Sequence, residues 1–241
     1  MKNLKLFLII LTGVITMSIP DLIFAQKITG DGNVVKEIRS ISSFDKIETG
    51  GVINVVLIQG NGESLIVESD KNLIPLVQTK VEGSTLFIST KEKTEIEEST
   101  KMNVYITFGN LKEIVLTGVG NVNTENPIKS ENLTVKNNSV GNMNLKLDCV
   151  NLKIENNSVG NTTLTGNADN AEINLNSVGN LKAFDLIVQV LKIDNNSIGN
   201  AEVNSEKEIY ISQNGMGNIS YKGNAVVKKL ENNGTGNVKK D

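Results

Sequence analysis

The chain has 241 residues, a single cysteine, no histidine and no tryptophan, with 24 Lys plus Arg against 27 Asp plus Glu. One cysteine excludes an internal disulfide, and the missing histidine removes the commonest general acid–base group and transition-metal ligand. A net acidic chain whose only arginine is Arg39 lacks the basic face that nucleic-acid binding needs, so the composition points away from both enzymes and nucleic-acid binders.

Residues 1–25 read as a secretory signal peptide. Lys2 and Lys5 make a positive start, Leu6 to Ile19 is mostly apolar, and Ile23-Phe24-Ala25 offers a cleavage site before Gln26. The alternative is an uncleaved membrane anchor, for which the run is short, since a span takes about 20 residues. No later stretch is long and apolar enough to cross a bilayer as a helix, and no cysteine directly follows the leader to carry a lipid. The chain from Gln26 is expected to be exported (periplasmic, cell-surface or secreted), without a transmembrane segment after cleavage.

Residues 26–110 read as a β-rich N-terminal part or cap. Lys27 to Asn33 is expected to be a flexible lead-in. Val34 to Ile38, Val52 to Ile58, Leu65 to Val67, Val77 to Val81 and Leu86 to Ile88 are short apolar or alternating runs, separated by turn signals such as Gln59-Gly60-Asn61-Gly62. Lys71 to Leu76 suggests a turn or short helical bend. The charged stretch Lys91 to Lys101 reads as an exposed loop, and Met102 to Phe108 alternates as a strand.

From residue 111 to 241 a repeat takes over. A tripeptide ending in Gly-Asn recurs at Gly120-Asn121, Gly141-Asn142, Gly160-Asn161, Gly179-Asn180, Gly199-Asn200, Gly217-Asn218 and Gly236-Asn237, at glycine intervals of 21, 19, 19, 20, 18 and 19 residues. A fixed period of this length marks a solenoid. Counting each Gly as position zero, position −6 holds Ile114, Val135, Ile154, Ile173, Ile193, Ile211 and Leu230, and positions −8, +2 and +4 are also mostly apolar. Position −7, of opposite parity, runs Glu113, Thr134, Lys153, Glu172, Lys192. Apolar inside and polar outside, with period two nested in about nineteen, predicts an all-β fold: a right-handed parallel β-helix.

Two asparagine columns accompany the glycines. Position +1 is Asn in all seven coils, and position −3 carries Asn138, Asn157, Asn176, Asn196, Asn214 and Asn233 after Thr117. Stacked amides hydrogen-bond along such a column, and Gly and Asn both suit a coil corner. Corner chemistry is the plain reading of Gly-Asn; a ligand surface built from the same amides is compatible with it. Position −1 holds Val119, Val140, Val159, Val178, Ile198 and Met216. Parity turns Val140, Val159, Val178, Ile198 and Met216 outward as an apolar stripe, which would be an interaction site; alternatively the glycine bends them into the core.

Several segments are similar to a known bacterial family, the putative auto-transporter adhesin, head GIN domain. They are Phe44-Asp45-Lys46-Ile47, Gly51 to Gln59 followed by Gly60, Val81 to Ile88, the recurring glycine turns, Ile219 to Asn224, and Gly234-Thr235-Gly236-Asn237, so the resemblance covers about Ile41 to Val238. It implies an exported, β-helix-like protein and suggests adhesion. No translocating barrel is present, so the auto-transporter part of the name does not carry over. The family pattern favours small polar residues at position −1, where this chain is apolar.

Catalytic and metal chemistry find little support. Glu155 and Asp194 at position −5 would sit two coils apart, about 10 Å, near the upper limit for an inverting carboxylate pair, but read better as solvated charges. Ser139, Ser158, Ser177 and Ser197 at position −2 have no base nearby and read as turn residues. Calcium-binding Asp repeats, phosphate loops and metal-ligand spacings do not occur, so no cofactor or metal is expected. The sequence thus reads as a non-enzymatic binding or adhesion-like protein, with a surface glycan or envelope protein as partner. The alternative is a self-associating (homo-oligomeric) structural protein of the envelope, and a polysaccharide-processing enzyme is the remote third.

Overall fold

The computed structural model describes residues 26–241; the expected signal peptide lies outside them. Within this span the fold is an all-β solenoid of about 7 turns with roughly 19 residues per coil. Long strands carry the repeat: Ile128–Val140, Met143–Asn156, Thr162–Leu175, Leu181–Asn195 and Ala201–Gln213. Each pairs in parallel with the next, one coil on, so that Val135, Ile154, Ile173, Ile193 and Ile211 lie directly opposite one another in a single column. The inward columns are the ones that alternation marks out. Ile114, Val135, Ile154, Ile173, Ile193 and Ile211 are fully buried, as are Met143, Leu164, Leu181 and Val203. At the C-terminal coil the pattern ends: Leu230 is exposed, and strand Val226–Asn232 is exposed along its whole length.

The N-terminal strands join the same 17-stranded sheet. Lys46–Thr49 pairs in parallel with Glu113–Val119, Asn54–Gln59 pairs with Val122–Thr124, and Val52 bridges Val119. Residues 46–59 therefore form a coil in register with the repeats. The period is hidden there because the next coil in sequence stacks on the other side: Thr85–Thr90 pairs in parallel with Lys46–Thr49, and Met102–Phe108 with Asn54–Gln59. The remaining strands add antiparallel partners: Ser64–Asp70 beside Met102–Phe108, with Val34–Arg39 paired to it in turn, and Val77–Glu82 beside Thr85–Thr90. A 3-10 turn at Ile74–Leu76 fills the place of the expected bend. Two expectations differ from the structure. The lead-in and the charged loop are instead strands Gln26–Thr29 and Thr94–Glu98, paired in parallel as a separate two-stranded sheet. Most of their described side chains are exposed, and Ile28 and Ile96 alone pack partly against the core, too few apolar positions for periodicity to reveal.

The corner glycines are required by geometry. Gly120, Gly141, Gly160, Gly179 and Gly199 have φ between +139° and +147°, a region closed to side chains. Each also packs against the backbone of the coil before it: a Cβ on Gly160 would lie 2.1 Å from the carbonyl oxygen of Gly141. Gly217 and Gly236 share the close approach but not the positive φ.

Candidate functional site

Between the buried positions −4 and +2, three columns face outward at each corner. The middle one is apolar. Val119, Val140, Val159, Val178, Ile198 and Met216 stand in a row which Val52 extends by one coil, and their exposures range from 43% to 66%. Parallel bridges link Val52 to Val119, Val140 to Val159, Val159 to Val178 and Val178 to Ile198, so the side chains stack one per rung. Seven rungs at about 4.8 Å make a row about 29 Å long. The glycine turns the chain after these residues rather than turning them inward.

Asparagines flank this row on both sides. In the −3 column, the Asn157 side chain donates to Asn138 Oδ1 (2.9 Å), Asn176 to Asn157 (3.1 Å) and Asn233 to Asn214 (3.1 Å). Asn196 turns aside to Asp194, which also receives Asn214. In the +1 column the side-chain oxygen caps the next corner. Asn121 Oδ1 accepts from the backbone N–H of Asn142 (3.0 Å), Asn142 from Asn161, Asn161 from Asn180, Asn180 from Asn200, Asn200 from Asn218 and Asn218 from Asn237. One side-chain oxygen is thus used to hold the coil geometry, while most of these amides stay open to solvent.

A second group of amides points the other way. Position −4 carries Asn137, Asn156, Asn195 and Gln213, all buried. Asn137 Nδ2 donates to Asn156 Oδ1 (2.9 Å) and Asn195 Nδ2 to Gln213 Oε1 (2.7 Å). The serines at −2 also point inward: Ser139 and Ser158 Oγ donate to Asn137 and Asn156 at 2.6 and 2.8 Å, and Ser197 Oγ to Asn195. These serines are therefore partners of an interior polar network rather than turn residues. Buried polar groups must be paired, and the pairing holds adjacent coils in register beneath the exposed row. The even parity of −4 was the signal in the sequence that these asparagines face inward.

The carboxylates considered for catalysis are occupied with neighbours. Glu155 pairs with Lys153 at 2.7 Å, and Asp194 accepts the two asparagines just named. Cys149 is buried, and burial pushes its thiol up to about 11. Among the described residues, no group of three or more Cys, Asp or Glu is placed to hold a metal ion, and no helix is long and apolar enough to cross a membrane.

A shallow groove runs along another side of the solenoid, which the sequence did not single out. It has a volume of about 510 Å³ and lies between columns −9 and −7, over the buried Leu133, Leu152 and Ala171. Asn151 donates to Asn132 (2.9 Å) and Asn170 to Asn151 (3.0 Å) along one wall. Lys153, Glu172, Lys192 and Tyr210 form the other. At Asn132, Thr134 and Lys153 it continues into a second, more polar hollow of about 670 Å³.

A parallel solenoid with one-residue-per-rung exposed columns defines the class: a repetitive β scaffold that displays a side-chain array. The family described as putative auto-transporter adhesin, head GIN domain, matches residues 43–225, and the chain belongs to that family. Among solved structures, it is similar to a putative adhesin of Bacteroides fragilis at 28% identity and TM-score 0.83, over 89% of this chain and 100% of that one. A putative adhesin of Parabacteroides distasonis (23%, TM-score 0.66) and a putative lipid binding protein of the same species (22%, TM-score 0.69) share the fold, each over 90% of this chain and 100% of theirs. No protein of curated function matches the chain.

Proposed function

We propose that this is an exported, non-enzymatic binding protein of the adhesin type, whose contact face is the apolar row and the asparagine columns beside it. The observation that carries this reading is the row itself: seven apolar side chains, each about half exposed, in one continuous line. Solvent-exposed apolar residues are ordinary when scattered and mark an interaction site when contiguous. The flanking amides Asn138, Asn157, Asn176 and Asn196 carry no charge, so the face accepts a neutral partner surface, a glycan or an envelope protein, without desolvating ions. The leader-like residues 1–25 and the membership of an adhesin-named family support export to the periplasm or cell surface.

The test is binding of the chain from Gln26 onward to isolated cell envelopes and to a glycan array. The double variant Val159→Ser/Val178→Ser should keep the wild-type unfolding midpoint and lose most of the binding. Equal binding by both proteins would overturn the assignment of the face.

Self-association is the second reading, favoured by periodicity. A second copy carries the same rungs at the same spacing, and uncharged aliphatic and amide columns can interdigitate as packed sheets do. Sedimentation of the same pair of proteins separates the two readings: a dimer that the double variant dissociates supports self-association.

A further inference from the structure

The axial groove is a separate surface from the apolar row and is not used by the reading above. Its two walls differ. On one, Asn151 and Asn170 each spend one side-chain N–H on the preceding rung, Asn151 on Asn132 and Asn170 on Asn151. That leaves the lower amides with a free N–H and free acceptor capacity side by side. On the other, the charged residues are already paired: Lys192 with Glu172 at 3.1 Å and Lys153 with Glu155 at 2.7 Å. In the adjoining hollow, Lys136 and Lys46 share Glu113 at 2.8 and 3.3 Å, and Lys112 holds Asp45 at 2.6 Å. Val190 continues the asparagine column as a half-buried aliphatic residue, and Tyr210 closes one end with its hydroxyl tied to Glu208 at 3.0 Å.

We propose that this groove binds an extended, neutral oligosaccharide bearing acetamido groups, laid along the solenoid axis. Three features select that ligand. A side-chain amide with one free donor and one free acceptor is the complement of an acetamido group, which offers a carbonyl and an N–H in the same geometry. Val190, half-buried where it continues the asparagine column, receives an acetyl methyl. Each lysine of this wall is matched by a carboxylate, Lys153 by Glu155 and Lys192 by Glu172, so there is no net positive charge to attract a polyanion. A polymer of sugar rings is also periodic along its length, as the rungs are, so several equal weak contacts add within one ligand.

The experiment is a heteronuclear NMR titration of the chain from Gln26 onward with three hexamers: β-1,4-linked N-acetylglucosamine, cellohexaose and α-1,4-linked galacturonic acid. The N-acetylglucosamine hexamer should shift the side-chain amide signals of Asn151 and Asn170, and bind about tenfold more tightly than the other two, a difference of about 1.4 kcal/mol. Asn151→Ala/Asn170→Ala should abolish the shifts at an unchanged unfolding midpoint, because both side chains are exposed. Val159→Ser/Val178→Ser should leave them unchanged, which separates this site from the apolar face. No shift with any hexamer, tightest binding of the galacturonate, equal binding of all three, or wild-type binding by the Asn variant would each overturn the proposal.

Discussion

Replacing Gly160 by alanine should separate two coils. The backbone there has φ +143°, and holding an alanine in that region costs about 1–3 kcal/mol. The new Cβ would also stand 2.1 Å from the carbonyl oxygen and 2.7 Å from the carbonyl carbon of Gly141, so the coils must move apart by more than an ångström. That displacement loosens the two bonds on either side of the corner, Gly141 N–H to Val159 O (2.9 Å) and Met143 N–H to Asn161 O (3.0 Å), each contributing about 1 kcal/mol. The total, about 3–5 kcal/mol, is a large share of the 5–15 kcal/mol that is typical of a whole domain. Gly62 is the control. Its φ is +103° but nothing lies within 4 Å of its Cβ position, so Gly62→Ala should lose only the backbone strain, about 1–3 kcal/mol. Urea unfolding of both variants followed by far-UV circular dichroism measures the difference. If Gly160→Ala is no less stable than Gly62→Ala, close coil contact is not what the corner glycine is for.

The interior amides give a second contrast. Asn156→Ala strips partners from Asn137 Nδ2 and Ser158 Oγ in the core and should destabilise by about 2–3 kcal/mol, while Asn157→Ala, on the exposed column beside it, should stay within about 0.5 kcal/mol, both read from unfolding midpoints. Cys149, buried with its thiol pushed up to about 11, should be silent towards a thiol reagent at pH 8 in the native protein and react stoichiometrically in denaturant. Acid should weaken the N-terminal part through Glu68: the hydrogen bond from Tyr105 holds its carboxyl below the ordinary value, and nearby Lys101 adds to this against the opposing effect of burial. A carboxylate whose folded value is depressed stabilises fully above the ordinary 4.5 and loses that contribution as the pH falls below it. The thermal midpoint should therefore drop below pH 4.5, and drop less in Glu68→Gln.

How far the sequence could be read depended on which physical signal each element carries. The repeat region was legible because buried Ile and Leu columns and required glycines recur at nearly constant spacing. The coils before it were not, because Thr85–Thr90 and Met102–Phe108 stack on one side of residues 46–59 and the chain then crosses to the other side at Glu113, which breaks the period in sequence without changing the register. Thr94–Glu98 was missed for another reason: a strand with no buried face leaves no apolar alternation to detect. At the candidate site, parity indicated that Val159 and its equivalents face outward, but the glycine beside them made an inward turn equally reasonable. The packing of Gly160 onto Gly141 decides the direction, and that close contact lies between coils, beyond the reach of any single repeat. The groove column Asn132, Asn151, Asn170 sits at a constant −9 from each glycine and was visible in the alignment of the repeats, but three amides on a polar face have no signature until the walls around them are known.

The central claim is that the residue before each corner glycine faces solvent and meets the partner. Val159→Cys tests it most directly, since buried Cys149 contributes no background. The account predicts that the introduced thiol is labelled in the native protein at the rate of a freely exposed cysteine, and that saturating cell envelopes protect it. Absence of native labelling would place the column in the core, and unhindered labelling under saturating envelope would show that the partner binds elsewhere.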